Sequence, residues 1–175
     1  MKNKNPLIII RDVLKENTDE DIIAALKNQN KGVLTEKNDT EKLEIIYRKR
    51  ARNPLTQHVV LRVNPQTWKK LVEVGKVQID LQRVRVEDQS PLTQCSLCLG
   101  YGHPKRLCKE TTEKCAHCGG PHQKSECTDW QAGTVPSCCN CKSAKQEKID
   151  HNAFSQECPV RMRWDNIARS SISYC

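Results

Sequence analysis

The segment from Cys95 to Cys158 constrains the fold of this chain more than any other feature. It carries three successive sets of three cysteines and one histidine, and two residues separate the first two cysteines of every set. The sets are Cys95, Cys98, His103 and Cys108; Cys115, Cys118, His122 and Cys127; and Cys138, Cys141, His151 and Cys158. Three thiolates and one imidazole are the ligands of a closed, tetrahedral, structural zinc site. The sequence therefore predicts three Zn²⁺ ions.

The cysteines, eleven in all, could instead form the disulfide framework of a secreted protein. A histidine recurs at a matching place in every set, however, which disulfides do not require. The amino-terminal segment has a bulky apolar run only from Leu7 to Ile10, which is too short for the core of a signal peptide. No run approaches the ~18 apolar residues of a membrane span. We therefore expect a reducing, intracellular location in cytoplasm and nucleus, with no membrane partner.

Ahead of the cysteines, residues 6–88 show the apolar spacings of strands and helices in alternation. Apolar runs and period-2 alternation predict strands at residues 7–13, 43–47 and 58–63 and a last strand that begins at Val77. Polar residues 30–41 and basic residues 48–54 are predicted to be loops. The alternation slips by one residue between Leu81 and Val84, which indicates a bulge or a strand end that redirects the chain.

Two helices are predicted between these strands. Apolar spacing predicts the first over about residues 18–29, opened by Thr18 in a capping box. Asn64 as N-cap and Pro65 at the first helical position predict the start of the second, and Gly75 its end. The resulting order β-α-β-β-α-β favours an α+β fold, a split βαβ sandwich with one sheet under two helices.

This organisation predicts three regions along the chain. Residues 6–90 are expected to form the α+β domain, and residues 93–160 three tandem zinc units. Residues 161–175 are expected to form a closing amphipathic helix and tail, because apolar residues recur there at helical spacing among arginines. The first two zinc units span too few residues to bury an apolar core, so metal binding is expected to supply their folding free energy.

The charge of +8 favours a polyanionic partner only moderately. Nine thiolates and three Zn²⁺ ions would lower it to about +5. The candidate nucleic-acid contacts are one aromatic and six basic residues near the metal sites: Tyr101, Lys105, Arg106, Lys109, Lys124, Arg161 and Arg163. Tyr101 is a candidate for base stacking, and the charges for phosphate contacts. The alternative for each charge is a solvated surface.

Catalysis is not expected. Four protein ligands leave zinc no open position for water or substrate, and the His-x-Glu of zinc deaminases is absent from the sequence. The sequential order of the sets also argues against a cross-braced RING domain. Cys139 and Cys175 are interpreted as spare thiols, His117 as an exposed polar residue, and His58 as structural or solvated.

The first set, with Gly102-His103, resembles the zinc knuckle of retroviral nucleocapsid proteins. The three spacings together resemble the Gag-like, first-open-reading-frame proteins of arthropod site-specific non-LTR retrotransposons. Further segments carry this resemblance: Asp80-Leu81-Gln82-Arg83-Val84, Gln94-Cys95, Leu99-Gly100-Tyr101-Gly102-His103, His151-Asn152-Ala153-Phe154-Ser155, Cys158-Pro159-Val160-Arg161 and Trp164. Proteins of this family are longer, so the resemblance implies a carboxy-terminal portion.

The resemblance implies an RRM-like domain over residues 6–88, followed by three CCHC zinc knuckles. It also implies binding of RNA, the element's own transcript, and its packaging into a ribonucleoprotein particle. Single-stranded DNA is a further possible ligand. The implied protein partner is the separate endonuclease/reverse-transcriptase protein of the element, with no catalysis in this chain.

Two departures from the family pattern affect which half of the chain is expected to contact RNA and which is expected to contact protein. RRM sheets stack bases on aromatic residues of the first and third strands, and both predicted strands lack them. Nucleocapsid knuckles often place an aromatic after the first cysteine, where Ser96 and Ala116 stand here. We expect protein contacts, including self-association, from the amino-terminal half and RNA contacts from the first two knuckles. The alternative is a zinc-built protein-interaction adaptor with little RNA affinity.

Overall fold

In the computed structural model, which describes residues 4–174, the chain divides into two compact units. The first unit comprises the described residues up to Pro91 together with 171–174, and the second is Leu92–Ser170. The predicted tail over 161–175 is therefore not a separate region: its helix belongs to the second unit and residues 171–174 to the first. Cys175, interpreted as a spare thiol, lies outside the described residues. None of the helices described is long and apolar enough to cross a membrane.

The first unit is an antiparallel sheet with helices, an α+β arrangement as predicted. Its strands are β1 (Leu7–Leu14), β2 (Glu44–Arg50), β3 (Thr56–Arg62), β4 (Lys76–Ile79) and β5 (Gln82–Gln89), in the spatial order β2-β3-β1-β5-β4. Its helices are α1 (Asp19–Gln29), α2 (Lys37–Glu41) and α3 (Pro65–Val74). The order of the strands in the sheet places β1 and β3 in adjacent, interior positions.

The helix signals predicted from the sequence are confirmed. Thr18 Oγ1 accepts a hydrogen bond from the backbone N–H of Asp21 at 3.2 Å, and the Asp21 carboxylate accepts one from the backbone N–H of Thr18 at 2.9 Å. Asn64 Oδ1 caps α3 by accepting from the Thr67 N–H at 2.7 Å. Gly75 ends α3 in the left-handed conformation, with φ of 68°.

Two predicted loops are partly wrong. The segment 30–41 contains α2, whose Asp39 is buried and accepts hydrogen bonds from the Lys70 ammonium at 2.8 Å and the Glu36 N–H at 3.0 Å. The segment 48–54 continues β2 as far as Arg50. Tertiary packing orders both segments, which carry no apolar periodicity of their own.

The slip in alternation near Leu81 is a strand end rather than a bulge. β4 ends at Ile79, and the chain reverses through Asp80 and Leu81 into a fifth strand. Asp80 takes a left-handed φ of 53°, and Leu81 is 91% exposed at the tip of the turn. The single last strand predicted to begin at Val77 is therefore two strands, β4 and β5. The reversal lets β5, rather than β4, pair with β1.

The apolar core of the first unit lies on one face of the sheet. Ile8 and Ile10 of β1 and Leu61 of β3 are buried together with Ile22 of α1 and Leu71 of α3. Since residues two apart on a strand share a face, the alternate positions of these strands point to the other face. That second face carries charged and polar side chains of β1, β3 and β5 together with the buried Ile9 and Val60.

The second unit has little regular structure. Its helices are α4 (Thr128–Gln131), α5 (Cys139–Ser143) and α6 (Pro159–Arg169), and two single 3₁₀ turns cover Lys105–Leu107 and Lys124–Glu126. The predicted closing helix is confirmed as α6. Cys158 caps it, because its Sγ accepts a hydrogen bond from the Arg161 N–H at 3.4 Å. Short helices of this kind cannot be stable by themselves.

Candidate metal centres

The three sets of cysteines and histidine each converge on a point. In every set the three Sγ atoms and the histidine nitrogen all lie within 4.8 Å of one another. In the third set, Cys138 Sγ and Cys158 Sγ are 3.9 Å apart, and Cys141 Sγ lies 3.5 Å from His151 Nε2. Ligands about 2.3 Å (sulfur) and 2.0 Å (nitrogen) from a tetrahedral zinc would be separated by roughly 3.6–3.8 Å. The sets are therefore compatible with three Zn²⁺ ions.

The backbone of the Cys-x2-Cys turns is arranged to stabilise thiolates. In the first set the N–H groups of Leu97 and Gly100 donate to the sulfurs of Cys95 and Cys98, each at 3.4 Å. In the second set His117 and Gly120 donate in the same way at 3.4 Å. Donors aimed at sulfur favour its charged form, which is the form that binds metal. The described cysteines are all free of disulfides.

The thiol pKa values differ within each ligand set, because the sulfurs lie close together. Burial opposes ionisation of Cys95, but hydrogen bonds from the backbone outweigh it and lower the pKa of that thiol to about 6. Burial and the neighbouring sulfurs of Cys108 and Cys95 raise the pKa of Cys98 to about 11. Burial and the same kind of crowding raise the pKa of Cys141 to about 12. Adjacent sulfurs cannot all carry charge until a divalent cation compensates them.

The three sets share one apolar core. Leu99 of the first set and Ala116 of the second are buried in one cluster with Cys138, Cys141 and Cys158 of the third. The cluster is completed by Ala153, with Cys139, Ile149 and Val160 against it. The third set therefore contributes its own ligand sulfurs to the core that joins all three. The tandem order of the sets in the sequence predicts three separate units and gives no indication of this packing.

Hydrogen bonds between the sets reinforce this core. The Asn140 amide of the third set donates to the carbonyl of Leu99 at 2.8 Å. The side-chain amide of Gln94 donates both to that carbonyl and to the carbonyl of Ala153, at 2.9 and 2.8 Å. The Ala153 N–H donates to the Ala116 carbonyl at 2.9 Å. Leu99 takes a left-handed φ of 64°, a conformation that costs about 1 kcal/mol or more for a non-glycine residue and is held here by its burial.

Tyr101 is not the stacking surface predicted from the sequence. Its side chain is only 7% exposed, and its hydroxyl is buried near the Cys158 sulfur, with no nitrogen or oxygen partner among the described residues. Burial, and then the nearby sulfurs of Cys158 and Cys138, raise its pKa above the ordinary tyrosine value. A base cannot stack on a ring that already lies in the interior. The sequence position, between two glycines, gives no sign of this long-range packing.

The sequence interpretation of His117 is also wrong. The sequence predicts an exposed polar residue, but only 7% of His117 is exposed, and its carbonyl accepts a hydrogen bond from the Ser137 N–H at 2.7 Å. Cys139, interpreted as a spare thiol, is half-buried beside Gly119 and does not belong to any set. His58 lies in the first unit, where its Nδ1 accepts a hydrogen bond from the Asp12 N–H at 3.1 Å.

The predicted basic contacts lie at the surface of the second unit. Lys105, Arg106 and Lys109 are exposed around the last ligand of the first set. Lys124 is exposed in the corresponding 3₁₀ turn of the second set. In the third, Arg163 is exposed, whereas Arg161 is half-buried and donates from Nε to Gln156 at 3.1 Å. None of these six, among the residues described, forms an ion pair within the chain.

The aromatic residue that sequence reasoning missed is Trp130. It is 47% exposed, and the Lys124 ammonium lies 4.6 Å from the centre of its ring. Its backbone N–H donates to Cys127 Sγ at 3.4 Å, so the metal ligand fixes the position of this tryptophan. The sequence does indicate that Trp130 lies next to the second ligand set, because it follows the last cysteine of that set by three residues. Arg161 has the same spacing after Cys158.

No family model matches the chain, and neither a curated protein nor a solved structure is significantly similar to it.

Proposed function

We propose that the zinc-loaded second unit binds single-stranded nucleic acid. The observation that carries this proposal is the exposed pair of Trp130 and Lys124 beside the second set of ligands. A base has a flat π-face that can stack on an exposed indole, and an ammonium next to the ring can neutralise the adjoining phosphate. The unpaired charges of Lys105, Arg106 and Lys109 extend the same chemistry along the strand.

The biological role that fits this chemistry is that of a Gag-like protein of a site-specific non-LTR retrotransposon. In this role the chain coats the element's RNA in a ribonucleoprotein particle and acts beside a separate endonuclease/reverse-transcriptase protein. The support is the sequence resemblance, together with three ligand sets that are compatible with zinc. Zinc has a structural role, because four protein ligands fill its coordination shell.

The first unit completes the proposed architecture as an RRM-like domain. Its support is the β-α-β-β-α-β order with β1 and β3 in the interior of the sheet, extended by the β4–β5 hairpin. On the face opposite the core, β1 and β3 present residues such as Arg11, His58 and Arg62 in place of aromatics. Stacking of bases on these two strands is therefore not part of the proposal.

Replacing Trp130 tests the nucleic-acid function directly. We expect Trp130→Ala to weaken binding of a fluorescein-labelled oligouridylate by about 5- to 150-fold, which corresponds to ~1–3 kcal/mol for one stacked base. Fluorescence anisotropy of the zinc-loaded chain measures this change. Trp130→Phe should restore most of the loss, since a smaller aromatic ring can still stack.

Phe154 provides the matched control. It is another exposed aromatic of the second unit, 53% exposed, with no cation over its ring among the contacts described. Phe154→Ala should leave the affinity for the oligouridylate unchanged. Equal affinities for wild type, Trp130→Ala and Phe154→Ala would refute stacking at Trp130.

The second candidate function is a zinc-built protein-interaction adaptor. The observation that favours it is an apolar concavity of about 360 Å³ in the second unit, where Val160, Trp164 and Ile167 of α6 line the wall. Trp164 and Ile167 remain 40% and 54% exposed. An adaptor of this kind would show no salt-dependent affinity for RNA, whereas the nucleic-acid function requires it. A titration across about 50–200 mM salt separates the two.

A further inference from the structure

We propose that the first unit carries a second nucleic-acid site, an arginine groove that binds the phosphodiester backbone of a single strand. The groove is a concavity of about 690 Å³ on the first unit. Its charged lining consists of Arg11, Arg52, Arg83, Arg85, Asp12 and Glu87. The inference goes beyond the function proposed above, which uses only the zinc unit.

The sheet register brings the arginines of this groove to one face. Val84 and Val86 of β5 are buried in the core, so Arg83 and Arg85, which alternate with them, project from the opposite face. Arg52 lies in the connection between β2 and β3. Only tertiary structure brings it to Arg83 and Arg85, because about 30 residues of sequence separate them.

Three of the four guanidinium groups that line the groove make no ion pair in the described part of the chain. Arg11 is engaged by Glu87, whose Oε2 accepts hydrogen bonds from Arg11 Nε at 3.0 Å and Nη2 at 2.9 Å. Arg52, Arg83 and Arg85 are exposed, and none of them has an ion pair or a side-chain hydrogen bond in the described part of the chain. Three unpaired guanidiniums around one concavity offer planar, two-pronged donors, which match the oxygens of a phosphate.

A preformed bulge in β1 builds one wall of the groove. Between Ile10 and Val13 the register shifts, and Asp12 takes a left-handed φ of 56°. His58 Nδ1 accepts from the Asp12 N–H at 3.1 Å, and the Gln82 amide donates to the Asp12 carbonyl at 3.2 Å. Bonds from two neighbouring strands fix the bulge before any ligand arrives.

The distribution of charge along the sequence points to the same unit. Residues 1–91 contain eighteen lysines and arginines against thirteen acidic residues, a net charge of +5. Residues 92–170 contain eleven against eight, a net charge of +3, which three zinc ions and nine thiolates would reduce to about zero. Long-range attraction for a polyanion therefore comes from the first unit. The proposal thus adds a nucleic-acid role to the half for which the sequence predicts protein contacts.

The groove is suited to recognise backbone and not base sequence. The nearby positions of β1 and β3 carry Arg11 and His58, so the aromatic platform that reads bases in RRM sheets is missing. Phosphate contacts position a strand without reading it, and they weaken with salt by counterion release. We therefore expect affinity that depends on strand length and salt and is indifferent to composition.

The test is a triple substitution, Arg52→Gln, Arg83→Gln and Arg85→Gln, in the full zinc-loaded chain. Loss of three phosphate contacts on a single strand should reduce the slope of log affinity against log salt by about 2. Binding of a labelled oligouridylate should fall on the order of 100-fold at about 100 mM salt, the size that this change in slope implies. Fluorescence anisotropy across salt concentrations gives both values.

The matched control removes the same charge elsewhere on the same unit. Lys27→Gln, Lys31→Gln and Lys69→Gln alter three lysines outside the groove. We expect a small loss from the lowered net charge and no comparable change in slope. A second variant, Arg52→Lys, Arg83→Lys and Arg85→Lys, should keep most of the slope and bind more weakly than wild type, since the two-pronged donors are lost. Equal effects of the glutamine triple variant and the control triple would overturn the proposal.

Two further measurements distinguish the groove from the zinc unit and from a surface for acidic protein. If Trp130→Ala weakens RNA binding and the groove variant does not, the zinc-unit function holds and the groove proposal fails. If the groove variant weakens binding and Trp130→Ala does not, the reverse holds. Polyaspartate is the probe for an acidic protein ligand. Competition by polyaspartate as strong as by oligouridylate at equal charge would overturn the preference for phosphate.

Discussion

The two units of this protein are stabilised by different kinds of core. The first buries isoleucine, valine and leucine between one sheet face and its helices, with Ile8, Ile10, Ile22 and Leu61 completely inaccessible. The second buries Leu99 among small residues and the ligand sulfurs of its third metal site. The first core is driven by removal of apolar surface from water, whereas the second, with zinc in the three ligand sets as proposed, would depend on the metal that holds the sulfurs together.

This difference teaches that, with zinc bound as proposed, the third ligand set would be part of the core and not an attachment to it. Cys138, Cys141 and Cys158 are all completely buried, and they pack in one cluster with Leu99 of the first set. Loss of the third metal would therefore remove both a set of bonds and the packing shared by the other two sets.

Removing zinc with a chelator should unfold the second unit and leave the first unit folded. Structural zinc supplies on the order of 10 kcal/mol or more of folding free energy in comparable peptides. The apolar cluster described in this unit is small and includes the third-set cysteines themselves, so it could not replace that free energy. Amide hydrogen exchange read separately for Val59 and for Cys138 measures the two responses. Loss of protection at Val59 on chelation would mean that the units fold as one.

Cys141→Ser should release more than one zinc ion, whereas Cys98→Ser should release one. Cys141 is completely buried in the core that joins the three sets, and Cys98 is only half-buried and lies outside that core. Native mass spectrometry counts the ions in each variant. Retention of two ions by Cys141→Ser would show that the sets fold independently, in agreement with the sequence-based expectation and against the shared core.

Ile10→Ala should destabilise only the first unit. The side chain is completely buried, so its truncation should lower the free energy of unfolding by about 2–4 kcal/mol. The zinc content measured by native mass spectrometry should stay at three. Val74→Ala serves as the control, because Val74 is 47% exposed at the end of α3 and should have a much smaller effect. Loss of zinc from Ile10→Ala would show that the metal sites of the second unit depend on the apolar core of the first.

Asp39→Asn should have a smaller, pH-dependent effect within the first unit. Burial opposes ionisation of Asp39, but hydrogen bonds from Lys70 and from the Glu36 N–H outweigh it and lower its pKa. A carboxylate with a lowered folded-state pKa stabilises above its unfolded value near 4, and this stabilisation is lost as pH falls through the folded-state pKa. We expect a loss of about 2 kcal/mol at neutral pH that shrinks below about pH 4.

Hydrogen exchange of first-unit amides as a function of pH measures the effect of Asp39→Asn without interference from the acid-sensitive zinc sites. Asp19→Asn is the control, since Asp19 is 53% exposed in its ion pair with Arg48 and such pairs contribute little. A loss for Asp39→Asn that is constant from neutral pH to about pH 3 would contradict the role of the ionised carboxylate.

The sequence by itself determined the features that depend on neighbouring residues. The ligand sets are readable because Cys-x2-Cys places two sulfurs on one tight turn, as in Cys95 and Cys98. The capping residues Thr18 and Asn64 are readable because a cap acts within three residues of itself. The α+β class followed from the alternating apolar spacings, which reflect the side of each strand or helix that is buried.

Tertiary structure alone decided the features that depend on residues far apart in the chain. The ring of Tyr101 lies near the sulfurs of Cys158 and Cys138, and nothing in its local sequence indicates that burial. Arg52 and Arg83 meet in one groove because β1, β3 and β5 are neighbours in the sheet. Periodicity reports which face of an element is buried, but not which distant element covers it. For that physical reason the metal ligands could be predicted, and the shared core and the arginine groove could not.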